Sequence, residues 1–124
     1  MQKKIKICIK NHELIVKLRN TETAKKIFNS LPISSQIHTW GEEVYFFVPV
    51  SCELENDSTN VVNLGEIAFW TIGKAIAIGF GKTPISISDE IRLADKCNIF
   101  GDTDYNLKKL KDVKSGEMVL IKKC

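Results

Sequence analysis

In Lys4–Lys10 and again in Glu13–Leu18 every second residue is apolar, and this period of two constrains the fold more than any other feature of the chain. In Lys4-Ile5-Lys6-Ile7-Cys8-Ile9-Lys10 the isoleucines share one strand face, and in Glu13-Leu14-Ile15-Val16-Lys17-Leu18 the residues Leu14, Val16 and Leu18 do the same. Asn11-His12 between them reads as the hairpin turn, because asparagine tolerates positive φ, and His12 then reads as a turn residue rather than a ligand. The alternation returns at Val44–Val50, Glu66–Trp70 and Ala75–Phe80, with a further strand near Cys97–Phe100 and a last one at Met118–Ile121.

Only one segment carries a convincing helical period. Asn20 or Thr21 can cap it, Ala24, Ile27, Phe28 and Leu31 lie on one face, and Pro32 stops it, so Phe28 is expected to plug apolar space. Ser34–Trp40 and Val44–Val50 read as a hairpin around Gly41-Glu42, while Glu53–Asn60 is a polar connection without core signal. In Ala75–Phe80 the residues Ala75, Ala77 and Gly79 form a shallow face onto which a helix could pack. Seven or eight short strands with one helix in the N-terminal half predict a mainly β, closed or nearly closed barrel, which removes exposed sheet edges. The 124 residues are read as a single domain, residues 1–124.

Several function classes are disfavoured. Gly81-Lys82-Thr83 ends like a phosphate loop, but Ile76 stands where the leading glycine belongs, and Pro84 pushes Thr83 toward extended backbone. The net charge of +3 comes from scattered lysines without interleaved aromatics, so nucleic acid binding is not expected. Cys8, Cys52, Cys97 and Cys124 lack the paired spacing of a zinc site, and no metal or cofactor is expected. Asp102 and Asp104 lack the later ligands of a calcium loop and read as a solvated turn. No apolar run approaches the ~20 residues of a membrane span. Nor does the start, with lysines among polar residues, resemble a signal peptide, so a cytoplasmic protein with reduced thiols is expected.

Three motifs in order resemble a family. Trp40-Gly41-Glu42-Glu43-Val44-Tyr45-Phe46, Gly65-Glu66-Ile67-Ala68-Phe69-Trp70 and Phe80-Gly81-Lys82-Thr83-Pro84-Ile85-Ser86 together are similar to the small prokaryotic cyclophilin-like proteins of uncharacterised function. The resemblance covers nearly the whole chain and implies a cyclophilin-like β-barrel. True cyclophilins resemble one another around a Phe-His-Arg motif after the first helix, whose arginine lowers the ~18–20 kcal/mol barrier to prolyl rotation. The nearest counterpart here is Ile37-His38-Thr39, and the two arginines of the chain are Arg19 and Arg92. Peptidyl-prolyl isomerase activity is therefore the alternative rather than the expectation, and no catalytic residue is assigned.

The strand faces suggest a binding site instead. With Val44, Phe46 and Val48 in the core, Glu43, Tyr45 and Phe47 point outward, and with Ile67 and Phe69 inside, Trp70 points outward too. Such aromatics need a cover: the helix, a loop, a second subunit that would make a structural homodimer, or a ligand. A groove for a small molecule or short peptide, formed by Trp40, Tyr45, Phe47 and Trp70 with Arg92 as an anchor, is the expected site.

Overall fold

The structure is a computed structural model that describes residues 2–124. Ten strands stand in chain order among the described residues: β1 (Lys4–Ile9), β2 (His12–Leu18), β3 (Ile33–Gln36), β4 (His38–Thr39), β5 (Glu43–Phe47), β6 (Thr59–Val62), β7 (Glu66–Trp70), β8 (Ala75–Gly79), β9 (Ile91–Thr103) and β10 (Met118–Lys123). They run in the order β3-β10-β1-β2-β9-β7-β8-β5-β4, every pair antiparallel, and β6 joins β9 off this path. The two ends of that order, β3 and β4, flank the single residue Ile37, so the sheet curls into a nearly closed antiparallel barrel. Ile5, Ile7, Leu14, Val16, Phe46, Phe69, Ile76 and Phe100 fill it from alternating strand positions.

The helix α1 spans Glu22–Asn29, and Thr21 caps it by accepting a hydrogen bond from the Ala24 N–H at 3.1 Å. Its Ala24 and Ile27 enter the core, whereas Phe28 does not plug the barrel: it is half-buried between the ammonium groups of Lys3 and Lys123, 4.4 and 4.6 Å from its ring centre. The polar connection after Val50 is pinned by the fully buried Asn98. Asn98 accepts from the Glu55 N–H at 2.8 Å and donates to Thr23 Oγ1 and to the Glu53 carbonyl, while Glu55 in turn accepts from the Thr23 N–H and hydroxyl at the helix N-terminus.

Several expectations are corrected. The hairpin turn is Lys10-Asn11, with Lys10 at φ 55°, and His12 is a buried β2 residue whose ring nitrogens meet the Tyr105 hydroxyl at 2.6 Å and Asp112 at 2.7 Å. The turn shortens to two residues because Ile9 pairs with His12. Ser34–Gln36 pairs with β10, so only His38–Thr39 faces β5. The short strand expected near Cys97 is part of a strand of thirteen residues, β9, that starts at Ile91 and whose far end carries Asp102. Asp102 is no free turn carboxylate; it holds Arg19 at 2.8 Å through both oxygens, with Glu66 at 3.1 Å on the same guanidinium.

The small-residue face of β8 is covered by β9 rather than by the helix. A side chain at Gly79 would bring its Cβ within 2.4 Å of Ile91 Cγ2, so the glycine lets the first half of β9 lie directly on the barrel wall. The Gly-Lys-Thr-Pro turn serves the same contact. Thr83 is buried, its hydroxyl donates to the Arg92 carbonyl, and its N–H donates to Ser86 Oγ at 2.9 Å.

Candidate functional site

A second apolar layer lies outside the barrel, where Val62, Ile91, Leu93, Cys97 and Ile99 cover Ala68 and Ala77 and pack against Tyr45 and Trp70. Its geometry follows from a bulge. Opposite β7 the register runs Ile67 to Gly101 and then Ala68 to Ile99, which skips Phe100; Phe100 joins the barrel core while Cys97 and Ile99 join the outer layer. This layer is the cover that Tyr45 and Trp70 require, while Phe47 stays exposed.

It leaves a cavity of about 290 Å³ lined by Trp40, Glu43, Tyr45, Trp70, Ala77, Leu93, Ala94 and Cys97. Glu43 and Tyr45 stand two apart on β5 and face the same way, and Ala77 pairs with Tyr45 across β8. The Tyr45 and Trp70 rings meet edge to face at 6.4 Å and 85°. The Trp70 indole N–H donates to Asp95 at 2.9 Å, and Gly73 has no side chain because the Trp70 ring occupies that space. His38 stacks on Tyr45 at 5.2 Å, and Phe47 closes an aromatic row at 5.9 Å from Tyr45.

Of the expected site residues, Trp40, Tyr45 and Trp70 line one cavity. Phe47 borders Tyr45 from an exposed position, and Arg92 turns away into an ion pair with Glu90, so the anchoring guanidinium is not brought to the cavity. The group that sequence reading missed is Glu43. It faces outward from the barrel as expected, yet it is 6% exposed, and its Oε1 is buried with no hydrogen-bond partner. Burial alone pushes its carboxyl from 4.5 up to about 7. The neighbouring Cys97 thiol is pushed up to about 12, first by burial and then by the charges of Glu43 and Asp95, so it stays protonated and a poor nucleophile. The same alternation that turns Tyr45 outward signals Glu43, but the second layer that desolvates it comes from β6 and β9, some twenty to fifty residues away in sequence.

A larger depression of about 720 Å³ opens beside the helix, lined by Lys3, Arg19, Lys25 and Phe28 among others. Its guanidinium is already neutralised by Asp102 and Glu66, and Phe28 is already taken by two lysines, so neither of these two is left to anchor a ligand there. No group of three or more His, Cys, Asp or Glu among the described residues is placed to hold a metal ion, and the four cysteines are free. No helix among the described residues is long and apolar enough to cross a membrane.

A model of the Cyclophilin-like family matches residues 3–122. The solution structure of a hypothetical protein from Archaeoglobus fulgidus is similar to the chain, with 38% sequence identity and a TM-score of 0.84, over 99% of this chain and 95% of that one. No curated protein matches the sequence.

Proposed function

The chain belongs to the Cyclophilin-like family, and on that premise we propose that it is a binding module for a small molecule or short peptide rather than a prolyl isomerase, with the cavity between β5, β7 and β9 as its site. The observation that carries this reading is the buried carboxylate oxygen of Glu43, left without a partner in a cavity walled by Trp40, Tyr45 and Trp70. A buried polar atom without a partner costs ~1–3 kcal/mol, a cost that an external ligand can relieve. Apolar walls with few polar groups are the composition of small-molecule sites.

Against isomerase activity stands the chemistry of the two guanidiniums. An arginine that aids prolyl rotation must aim a free N–H at the prolyl nitrogen, whereas Arg19 is engaged by Asp102 and Glu66, and Arg92 by Glu90. His38 occupies the position of the missing motif but spends its ring face on Tyr45. Fold membership does not supply the reaction.

Intrinsic tryptophan fluorescence, titrated with a panel of small apolar and amphipathic molecules, tests the binding reading. Saturable quenching is expected, weakened roughly ten- to hundredfold in Tyr45→Ala, the effect of removing one anchoring aromatic wall. In parallel, a protease-coupled assay on an X-Pro peptide is expected to show no rate above the uncatalysed one. Catalysis abolished by Arg92→Ala would make the isomerase reading correct, and a panel without any saturable quenching would remove the binding reading.

A further inference from the structure

We infer that the cavity takes an organic cation, an amine or quaternary ammonium group, with Glu43 as its counter-ion and Trp40, Tyr45 and Trp70 as its walls. This inference rests on the reading of the cavity as a ligand site and names the chemistry of its occupant. Aromatic faces present the negative side of the ring quadrupole, and an alkylated ammonium is attracted to them most strongly where water is excluded. The perpendicular arrangement of Tyr45 and Trp70 offers faces in two directions around one centre rather than a slot for a flat ring.

Charge selects among possible guests. Glu43 Oε1 is buried and unpartnered, and the carboxylate of Asp95 accepts from the Trp70 indole N–H, so an anion would meet Asp95 and, once it ionises, Glu43 as like charges. No described cation already satisfies Glu43: Arg92 is paired with Glu90, and Lys82 lies against Asp89. At about 290 Å³ the cavity stands at the small end of ligand pockets, which run from ~300 to 1,000 Å³, so it suits a compact head group.

Occupancy then couples to a proton. Glu43 holds its proton up to about 7 because it is desolvated, and a bound cation would favour the ionised form. The other titratable groups around it are few. From β9 come the Cys97 thiol, which stays protonated, and Asp95; from β5 comes the Tyr45 hydroxyl, and His38 of β4 stacks on that ring. The neighbouring positions of β7 and β8 are Ala68, Trp70, Ala77 and Gly79, none of which carries an acid or base.

The test is calorimetric titration of the protein and of Glu43→Gln with choline and with its uncharged carbon isostere dimethylbutanol. Choline is expected to bind the native chain at least roughly tenfold more tightly than the isostere, and to bind roughly tenfold more tightly at about pH 8 than at about pH 6, following the ionised fraction of Glu43. Glu43→Gln should abolish both differences while remaining folded by circular dichroism. Equal binding of choline and isostere, choline binding that ignores Glu43→Gln, or no binding of choline would each overturn the cationic assignment. The apolar panel described above decides separately whether the cavity binds ligands at all.

Discussion

Replacing Glu43 by glutamine is expected to make the protein about 3 kcal/mol more stable than the native chain at about pH 8, and to leave stability nearly unchanged below about pH 4.5. The sign follows from the raised carboxyl. In the unfolded chain Glu43 ionises near its ordinary value of 4.5, whereas in the folded barrel burial holds the proton up to about 7. Stability from this group is therefore fully present below 4.5 and is lost as pH rises to about 7, at ~1.4 kcal/mol per pH unit across the interval. Glutamine keeps the shape of the protonated side chain and cannot ionise, so its profile lacks this loss. Asp102, Asp112 and Glu90, held below the usual carboxylate range chiefly by hydrogen bonds from Arg19, His12 and Arg92, act in the opposite direction at acid pH. They are common to both proteins and cancel in the difference. Urea unfolding of the two proteins across this range measures the effect, and parallel profiles would show that Glu43 is solvated.

Ile27→Ala is expected to cost about 2–5 kcal/mol, more than Phe28→Ala, although Phe28 is the larger side chain. Ile27 is fully buried and closes the core beneath the helix, so its truncation leaves a cavity that the surrounding barrel cannot collapse to fill. Phe28 is half-buried, and it loses part of its apolar contact together with two lysine contacts at its ring, each worth ~0.5–1 kcal/mol at an exposed position. Chemical denaturation of both variants ranks them. A greater loss for Phe28→Ala would return it to the role of barrel plug.

The barrel was legible because most of its strands carry their own alternation: β7 and β8 read from Glu66–Trp70 and Ala75–Phe80 nearly to the residue, and Thr21 announces its helix by the capping rule. What escaped was written in no single segment. β9 is buried on both faces over Cys97–Gly101, so that stretch shows no alternation and even holds the polar Asn98, while Arg92, Asp95 and Lys96 break the period in its first half. β6 has only Val61 and Val62 to mark it after a long polar stretch. The buried polar positions were equally silent. His12 reads as a turn residue and Asn98 as one polar position in a short strand, and both become core residues because partners some forty to a hundred positions away satisfy them. The residues of the candidate site were legible in the same measure. Tyr45 and Trp70 follow from strand faces and Trp40 from its place beside that hairpin, whereas the desolvation of Glu43 depends on the layer built by β6 and β9, and the turning away of Arg92 depends on Glu90.

β9 is at once a stave of the barrel and, through Leu93, Ala94 and Cys97, a wall of the cavity. A wall made from a continuous strand does not swing like a loop. A guest of the proposed kind would therefore meet a wall that is already formed and braced by the β6–β9 pairing, rather than one assembled around it by loop closure. Once seated, it would lengthen the lifetime of that pairing, and the slowed amide exchange would extend along the strand toward Asn98, linking the occupied cavity to the anchor of the helix.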